Sequence, residues 1–387
     1  MTSVFSFPKF VLSGEDALKI GVSYFKDMGT KALIVTDENI VKLGHLKKLT
    51  DMLNSENISY HIYDEINSEP TNLMIDKGIK IYKENSCDFL IGIGGGSPVD
   101  AMKAIGIMDS NAGNICDYMG KPILKPLPPM CAIPTTSGTG SEATKFSIIT
   151  NLNSNVKMLL NDPKLLVDLT ILESEFNATV SSSVIAATGI DALTHAVEAY
   201  TSVKANSMSD IYAVSAVSKI FKNLHNTYTG NGTKEARSEM ALAAFYGGVA
   251  INNASVSIVH GMSRPIGALF HVPHGMSNAM LFKVCLEFLK PAALTRLCDF
   301  AKVIGIYEAG MREEDGATAF VSATIDLLRT MKIDKLSDYG VSKEDFFKFI
   351  PKMAEDAMIS GSPLNTRRTP TKEDLMNLYE KLWYEGE

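Results

Sequence analysis

The hydrophobic pattern changes character near residue 180, and this change constrains the fold more than any other feature of the chain. Before it, short apolar runs alternate with helical stretches. Lys31–Thr36, Ile58–Tyr63, Asp88–Ile93 and Met130–Pro134 read as strands, and Asn72–Asn85 as a helix with an apolar stripe. Such alternation predicts a mostly parallel sheet covered on both faces. After it, strand signals are few. Ser182–Thr201, Ser207–Leu224, Ala236–Asn252, Pro291–Gly305, Ala317–Met331 and Lys372–Trp383 carry the 3.6-residue period of amphipathic helices. The chain of 387 residues is too long for one ordinary core. We therefore expect an α/β domain over residues 1–180 and an all-α domain over 181–387.

The function classes are narrowed by charge. The net charge is −7 and no Lys/Arg block exceeds a pair, which disfavours nucleic acid or an anionic membrane as partner. No apolar run approaches the roughly 20 residues of a membrane-spanning helix. The N-terminus, MTSVFSFPKF, lacks the basic and apolar regions of a secretory signal. Five cysteines without paired spacing fit a reducing, cytoplasmic setting.

Three features of the first half carry chemistry. Gly92-Ile93-Gly94-Gly95-Gly96-Ser97-Pro98-Val99-Asp100 follows a strand and opens a helix, so backbone N–H groups and the helix dipole can meet a phosphate. Its spacing matches neither G-x-G-x-x-G nor the P-loop, and a plain tight turn is an equal reading. Pro134-Thr135-Thr136-Ser137-Gly138-Thr139-Gly140-Ser141-Glu142 follows another strand and offers hydroxyls to the same ligand, or is a solvated loop. Asp37 ends a strand, where a carboxylate can bind the ribose 2′-hydroxyl of NAD and repel the 2′-phosphate of NADP. A helix N-cap at Asp37 is as good a reading.

The second half carries a metal-ligand pattern. Asp191 and His195 are four apart on one helical face, with Glu198 close to that face. A local ion pair is the common fate of such a pair. However, four of the seven histidines lie at 195, 260, 271 and 274. Asp191, His195, His260 and His274 make a mixed N/O set suited to Fe(II) or Zn(II), with no cysteine among them.

GIGGGSPVDAMKAIG, PTTSGTGSEAT, AATGIDALTHAVEAY and HGMSRPIGALFHVPHGMSNAM together resemble the signatures of the iron-containing alcohol dehydrogenases, over essentially the whole chain. Within that family the chain most resembles the butanol, lactaldehyde and propanediol dehydrogenases. The resemblance implies a dehydroquinate synthase-like architecture, with a dinucleotide-binding α/β domain and a helical domain. It implies NAD, and iron or sometimes zinc held by Asp191, His195, His260 and His274. It places Asp37 at the position that favours NAD, and Gly94, Gly95, Gly96, Ser97 and Asp100 at the pyrophosphate. Thr135, Thr136 and Thr139 match the second nucleotide turn, and Lys157 a lysine that contacts the cofactor. The implied reaction is reversible hydride transfer between NAD(H) and a small primary alcohol or diol and its aldehyde, in a homodimer or larger homo-oligomer. Two departures stand out. Arg264 replaces a histidine that some members carry, which makes His271 the candidate proton carrier. Glu69 replaces a small amide residue. The alternatives are a glycerol-dehydrogenase-like polyol enzyme and a non-catalytic NAD-binding metalloprotein.

Overall fold

The computed structural model describes residues 4–386 except residue 155. It divides into two compact units, Ser6–Val180 and Ser181–Glu387, the second including Met1–Phe5. Phe5 joins the helical unit by stacking on Tyr212, with ring centroids 5.8 Å apart.

The first unit begins with β1 (Phe10–Ser13), α1 (Ala17–Met28), β2 (Lys31–Val35), α2 (Glu38–Lys42), α3 (His45–Ser55), β3 (Ser59–Tyr63) and α4 (Asn72–Glu84). It continues with β4 (Phe89–Gly94), α5 (Gly96–Ser110), β5 (Met130–Pro134), β6 (Phe146–Asn151), β7 (Val156–Asn161) and β8 (Leu169–Leu172). Six strands form one sheet in the order β1-β8-β5-β4-β2-β3, and every pairing in it is parallel. β6 and β7 form a separate antiparallel hairpin.

The apolar runs make sense on this sheet because successive side chains enter opposite cores. Leu33 and Val35 of β2 join Leu90 of β4 and Ile105 of α5 in one layer. Ala32 and Ile34 join Ile91, Phe25 of α1 and Leu49 of α3 in the other. With both faces buried, alternation disappears from the sequence. β1, β8 and the β6–β7 hairpin were not anticipated. β1 and β8 have four residues each, and β6 is only half buried, so none presents a sustained pattern.

The second unit is helical: α6 (Ser182–Thr201), α7 (Ser207–Tyr228), α8 (Lys234–Ala254), α9 (Ile258–Phe270), α10 (His274–Leu289), α11 (Leu294–Val303), α12 (Glu313–Thr330), α13 (Lys343–Ile359) and α14 (Lys372–Gly386). α6 sits at its centre, with every residue from Gly189 to Thr201 buried. α9 and α13 each carry an internal proline, Pro265 and Pro351, which hides them from a helix-seeking reading.

Candidate metal centre and dinucleotide cradle

Strand order sets where the first unit can hold a ligand. From β2 the chain passes to β3 at one edge, then returns to β4 on the other side of β2. The carboxyl ends of β2 and β4 therefore flank a topological switch point, the usual ligand crevice of an open α/β sheet. Asp37 follows β2, the glycine run follows β4 and the threonine run follows the next strand, β5.

The three segments meet. The Thr36 hydroxyl donates to the Ile93 carbonyl at 2.8 Å, and the Thr135 N–H donates to the Gly94 carbonyl at 2.8 Å. Gly94 has φ +148°, a backbone that side chains rarely adopt. A Cβ there would lie 2.7 Å from Pro98 Cγ and 3.3 Å from Asp37 Oδ2. One at Gly96 would lie 3.0 Å from Thr139 Cγ2, and one at Gly95 would lie 3.8 Å from Thr136. No side chain caps the start of α5. The first-turn amides of that helix, with Ser97 among them, are thus suited to an anion.

Asp37 is the N-cap of α2. Its Oδ1 accepts from the Asn39 N–H at 2.8 Å and the Ile40 N–H at 3.1 Å, capping α2. Its Oδ2 is turned toward Gly94.

Asp100 differs from its expected place at the pyrophosphate, because its carboxylate is taken up by the protein. Oδ1 accepts from the Ser141 hydroxyl at 2.5 Å and Oδ2 from the Ile148 N–H at 3.1 Å. One turn on, the fully buried Lys103 ammonium donates to the carbonyls of Ser141, Thr144 and Phe146 at 2.6–2.8 Å. Burial pulls Lys103 down to about 8, against the upward pull of Asp100 and Glu142. Burial likewise pushes Glu142 up to about 7. Lys103 and Glu142 were missed, although a lysine within the apolar run AMKAIGIM was a visible signal. Lys157 lies on β7 and pairs with Glu69 at 2.7 Å, joining the expected cofactor lysine to the noted departure.

The second unit gathers the metal-ligand candidates. Asp191, His195 and Glu198 lie on one face of α6, as their spacing of four and three requires. His260 stands in the first turn of α9, and His274 is the first residue of α10. Gly275 lets α10 approach α6: a Cβ there would lie 2.9 Å from the Ala187 carbonyl oxygen. Ligating atoms of Asp191, His195 and His260 all lie within 4.8 Å of one another, and all three residues are buried. Asp191 Oδ1 is 3.8 Å from His195 Nε2 and 3.6 Å from His260 Nε2. A cation with bonds of about 2.0–2.2 Å in tetrahedral array separates its ligands by roughly 3.5 Å, so the donor set fits a first-row divalent ion. The His274 ring stands 5.2 Å from that of His260.

The surroundings orient these donors. Glu198 Oε2 lies 2.6 Å from His260 Nδ1, while Oε1 accepts from the Ser257 hydroxyl and the Val259 N–H. The proton is thereby fixed on Nδ1, and Nε2 is left as the ligand atom. Burial by itself would raise the Asp191 carboxyl, yet the imidazoles of His195, His260 and His274 hold it far below the usual carboxylate range. Burial lowers His260, but Glu198 and Asp191 carry it up to about 9. Burial takes His274 down to about 3. Arg264 lies one turn beyond His260, and its guanidinium donates to the Ser362 hydroxyl at 3.0 Å. His271 is exposed as the left-handed C-cap of α9, with φ 56°.

Comparison with known proteins agrees with this arrangement. Residues 8–174 match the family described as iron-containing alcohol dehydrogenase. Residues 185–383 match the C-terminal domain of the Fe-containing alcohol dehydrogenase family. The chain is 36% identical to alcohol dehydrogenase 4 of Schizosaccharomyces pombe over 383 residues, covering 98% of this chain and 88% of that protein. It is 34% identical to lactaldehyde reductase of Escherichia coli, covering 91% of this chain and 92% of that one. A crystal structure of 1,3-propanediol oxidoreductase superposes with a TM-score of 0.94 at 31% identity, over 99% of this chain and 100% of the other. With its donor set, its sheet order and both halves matched, this chain belongs to the iron-containing alcohol dehydrogenase family.

Proposed function

We propose that the protein catalyses the reversible reaction of a small primary alcohol or diol with NAD+, giving an aldehyde, NADH and a proton. The observation that carries this reading is the buried Asp191–His195–His260 set, with Glu198 fixing the tautomer of His260. His274 completes four protein ligands for Fe2+, with Zn2+ the alternative. A bound cation supplies Lewis acidity to the alcohol or carbonyl oxygen. The start of α5, with Gly94, Gly95, Gly96 and Ser97, receives the pyrophosphate, and Thr135, Thr136 and Thr139 line the adjoining turn. Asp100 acts at one remove, by holding Ser141 and the start of β6. Lys157 contacts the cofactor while paired to Glu69. The protein works as a cytoplasmic homo-oligomer.

The test is anaerobic reconstitution with Fe2+ or Zn2+, followed by NADH absorbance with short alcohols and aldehydes. Turnover that a chelator abolishes and added metal restores is expected. NAD binding without alcohol-dependent NADH formation would favour a non-catalytic metalloprotein, and a marked preference for glycerol the polyol enzyme.

Asp37 sets the cofactor preference in this reading. Its Oδ2 is the atom a 2′-phosphate would meet, so Asp37→Gly should relax selectivity toward NADP. One repulsive contact is worth roughly 1–2 kcal/mol, or about tenfold in the NAD/NADP ratio of kcat/KM. An unchanged ratio would leave Asp37 as a helix cap alone.

His271 is the proposed proton carrier, exposed and three residues before His274. His271→Ala should lower kcat about 10- to 100-fold and flatten the pH profile near neutrality, with metal content unchanged. A profile identical to that of the parent protein would remove His271 from the mechanism.

A further inference from the structure

Arg264 is a charged side chain beside the metal set that the proposed reaction leaves without a task. α6 and α9 hold no other Lys or Arg, and Lys283, the one in α10, is paired with Glu385 at 3.0 Å. From Ile258 to Gly267 every residue of α9 is buried except Arg264, which keeps partial access to solvent. It stands four residues after His260, so the two side chains rise from one helical face about 5–6 Å apart. Its positive charge also reaches the His274 imidazole.

The guanidinium is held but not neutralised. It donates to the Ser362 hydroxyl at 3.0 Å and forms no ion pair among the described residues. Ser362 is itself fixed, because α9 packs closely on the residue that follows it: a Cβ at Gly261 would lie 2.6 Å from Pro363 Cδ. The carboxylates of the site are engaged elsewhere. Glu198 holds His260, Ser257 and Val259, and Asp191 faces two imidazoles. None of the unmatched guanidinium nitrogens is sealed from solvent. A cation largely withdrawn from water without a counter-charge is unfavourable, and a ligand that brings the opposite charge offsets this. The planar fork of N–H groups matches two oxygens of one anionic group.

We propose that Arg264 binds an anionic group (carboxylate, sulfonate or phosphonate) at the far end of the substrate alcohol or aldehyde. The proposal rests on the dehydrogenase reading given above and narrows its substrate class. With the reacting oxygen at the donor set and the anion one helical turn away, a chain of about two to three carbons joins them. Ser362 acts through Arg264, by aiming the fork.

The experiment compares kcat/KM for 2-hydroxyethanesulfonate, 2-hydroxyethylphosphonate and 3-hydroxypropanoate with that for 1-propanol and 1,3-propanediol. It uses the metal-loaded parent protein, Arg264→Met and Arg264→Lys. Calorimetric titration of each anion into the same proteins without metal gives a readout independent of turnover. In the parent protein at least one anion should exceed the neutral alcohols about 10- to 100-fold. Arg264→Met should erase both that ratio and the calorimetric binding. Arg264→Lys keeps the charge without the fork and should show an intermediate ratio. If Arg264→Met does not fold, Arg264→Lys and the parent series decide. Turnover of neutral alcohols with no anionic preference in the parent, or a preference that Arg264→Met leaves intact, would overturn the anion site and leave the dehydrogenase reading standing. Absence of turnover with every alcohol would overturn the dehydrogenase reading. Anion binding lost in Arg264→Met would then still sustain the anion site, and no anion binding by the parent would overturn it too.

Discussion

Asp191→Asn is expected to lose most of its bound metal and at least about a thousandfold in turnover, with its helical content preserved. The neutral amide removes the anion that faces two imidazole Nε2 atoms at 3.6 and 3.8 Å. Losing Lewis acidity at the reacting oxygen costs several kcal/mol, and about 1.4 kcal/mol corresponds to each factor of ten. His195→Ala and His260→Ala should behave alike, since both rings belong to the compact set. His274→Ala should likewise lower metal content and turnover, since its Nε2 and Asp191 Oδ1 lie 3.2 and 2.7 Å from one atom, Asn278 Nδ2. Metal analysis beside NADH-coupled kinetics and far-UV circular dichroism decides the point. Full metal and activity in three of the four variants would sink the ligand assignment.

The second large effect lies away from the metal. Lys103→Met is expected to destabilise the α/β unit by about 3–5 kcal/mol, the usual cost of breaking a buried charge network by removing one partner. The substitution leaves three carbonyls, those of Ser141, Thr144 and Phe146, without their buried donor. It also leaves the carboxylates of Asp100 and Glu142 without their cation. The segment from Ser141 to Phe146 begins two residues after Thr139, so NAD affinity should fall together with stability. Urea unfolding followed by circular dichroism, with NAD titration under native conditions, measures both. A loss below about 1 kcal/mol would show that water replaces the ammonium without strain.

The metal set was legible because helix geometry converts spacing into proximity. Asp191, His195 and Glu198 need only one regular helix to share a face, and the histidine content concentrates around them. The meeting of the glycine, threonine and Asp37 segments was legible because each follows a run of buried strand residues. What was hidden follows from chemistry that leaves no periodic trace. The apolar run around Lys103 hints at burial, but nothing local names its three carbonyl partners, roughly 40 residues away. Asp100 was expected at a phosphate because it sits in the glycine motif, yet Ser141 and Ile148 claim it. α9 went unread as a helix because Gly261 and Pro265 weaken the local preference, and packing overrides it.

The edge strand β1 has a consequence for how the chain is made. It pairs with β8 alone, Phe10 against Leu169, so its partner leaves the ribosome roughly 160 residues later. At synthesis rates of about 5–20 residues per second, the earliest strand waits many seconds with its amides unmatched. The β4–β5 core can assemble meanwhile, but the far side of the sheet stays open until Leu169–Leu172 appears. β1 is thus among the last strands to be docked in this sheet, and a chain stalled before residue 169 would present an unfinished β-edge to whatever chaperone or neighbour meets it first.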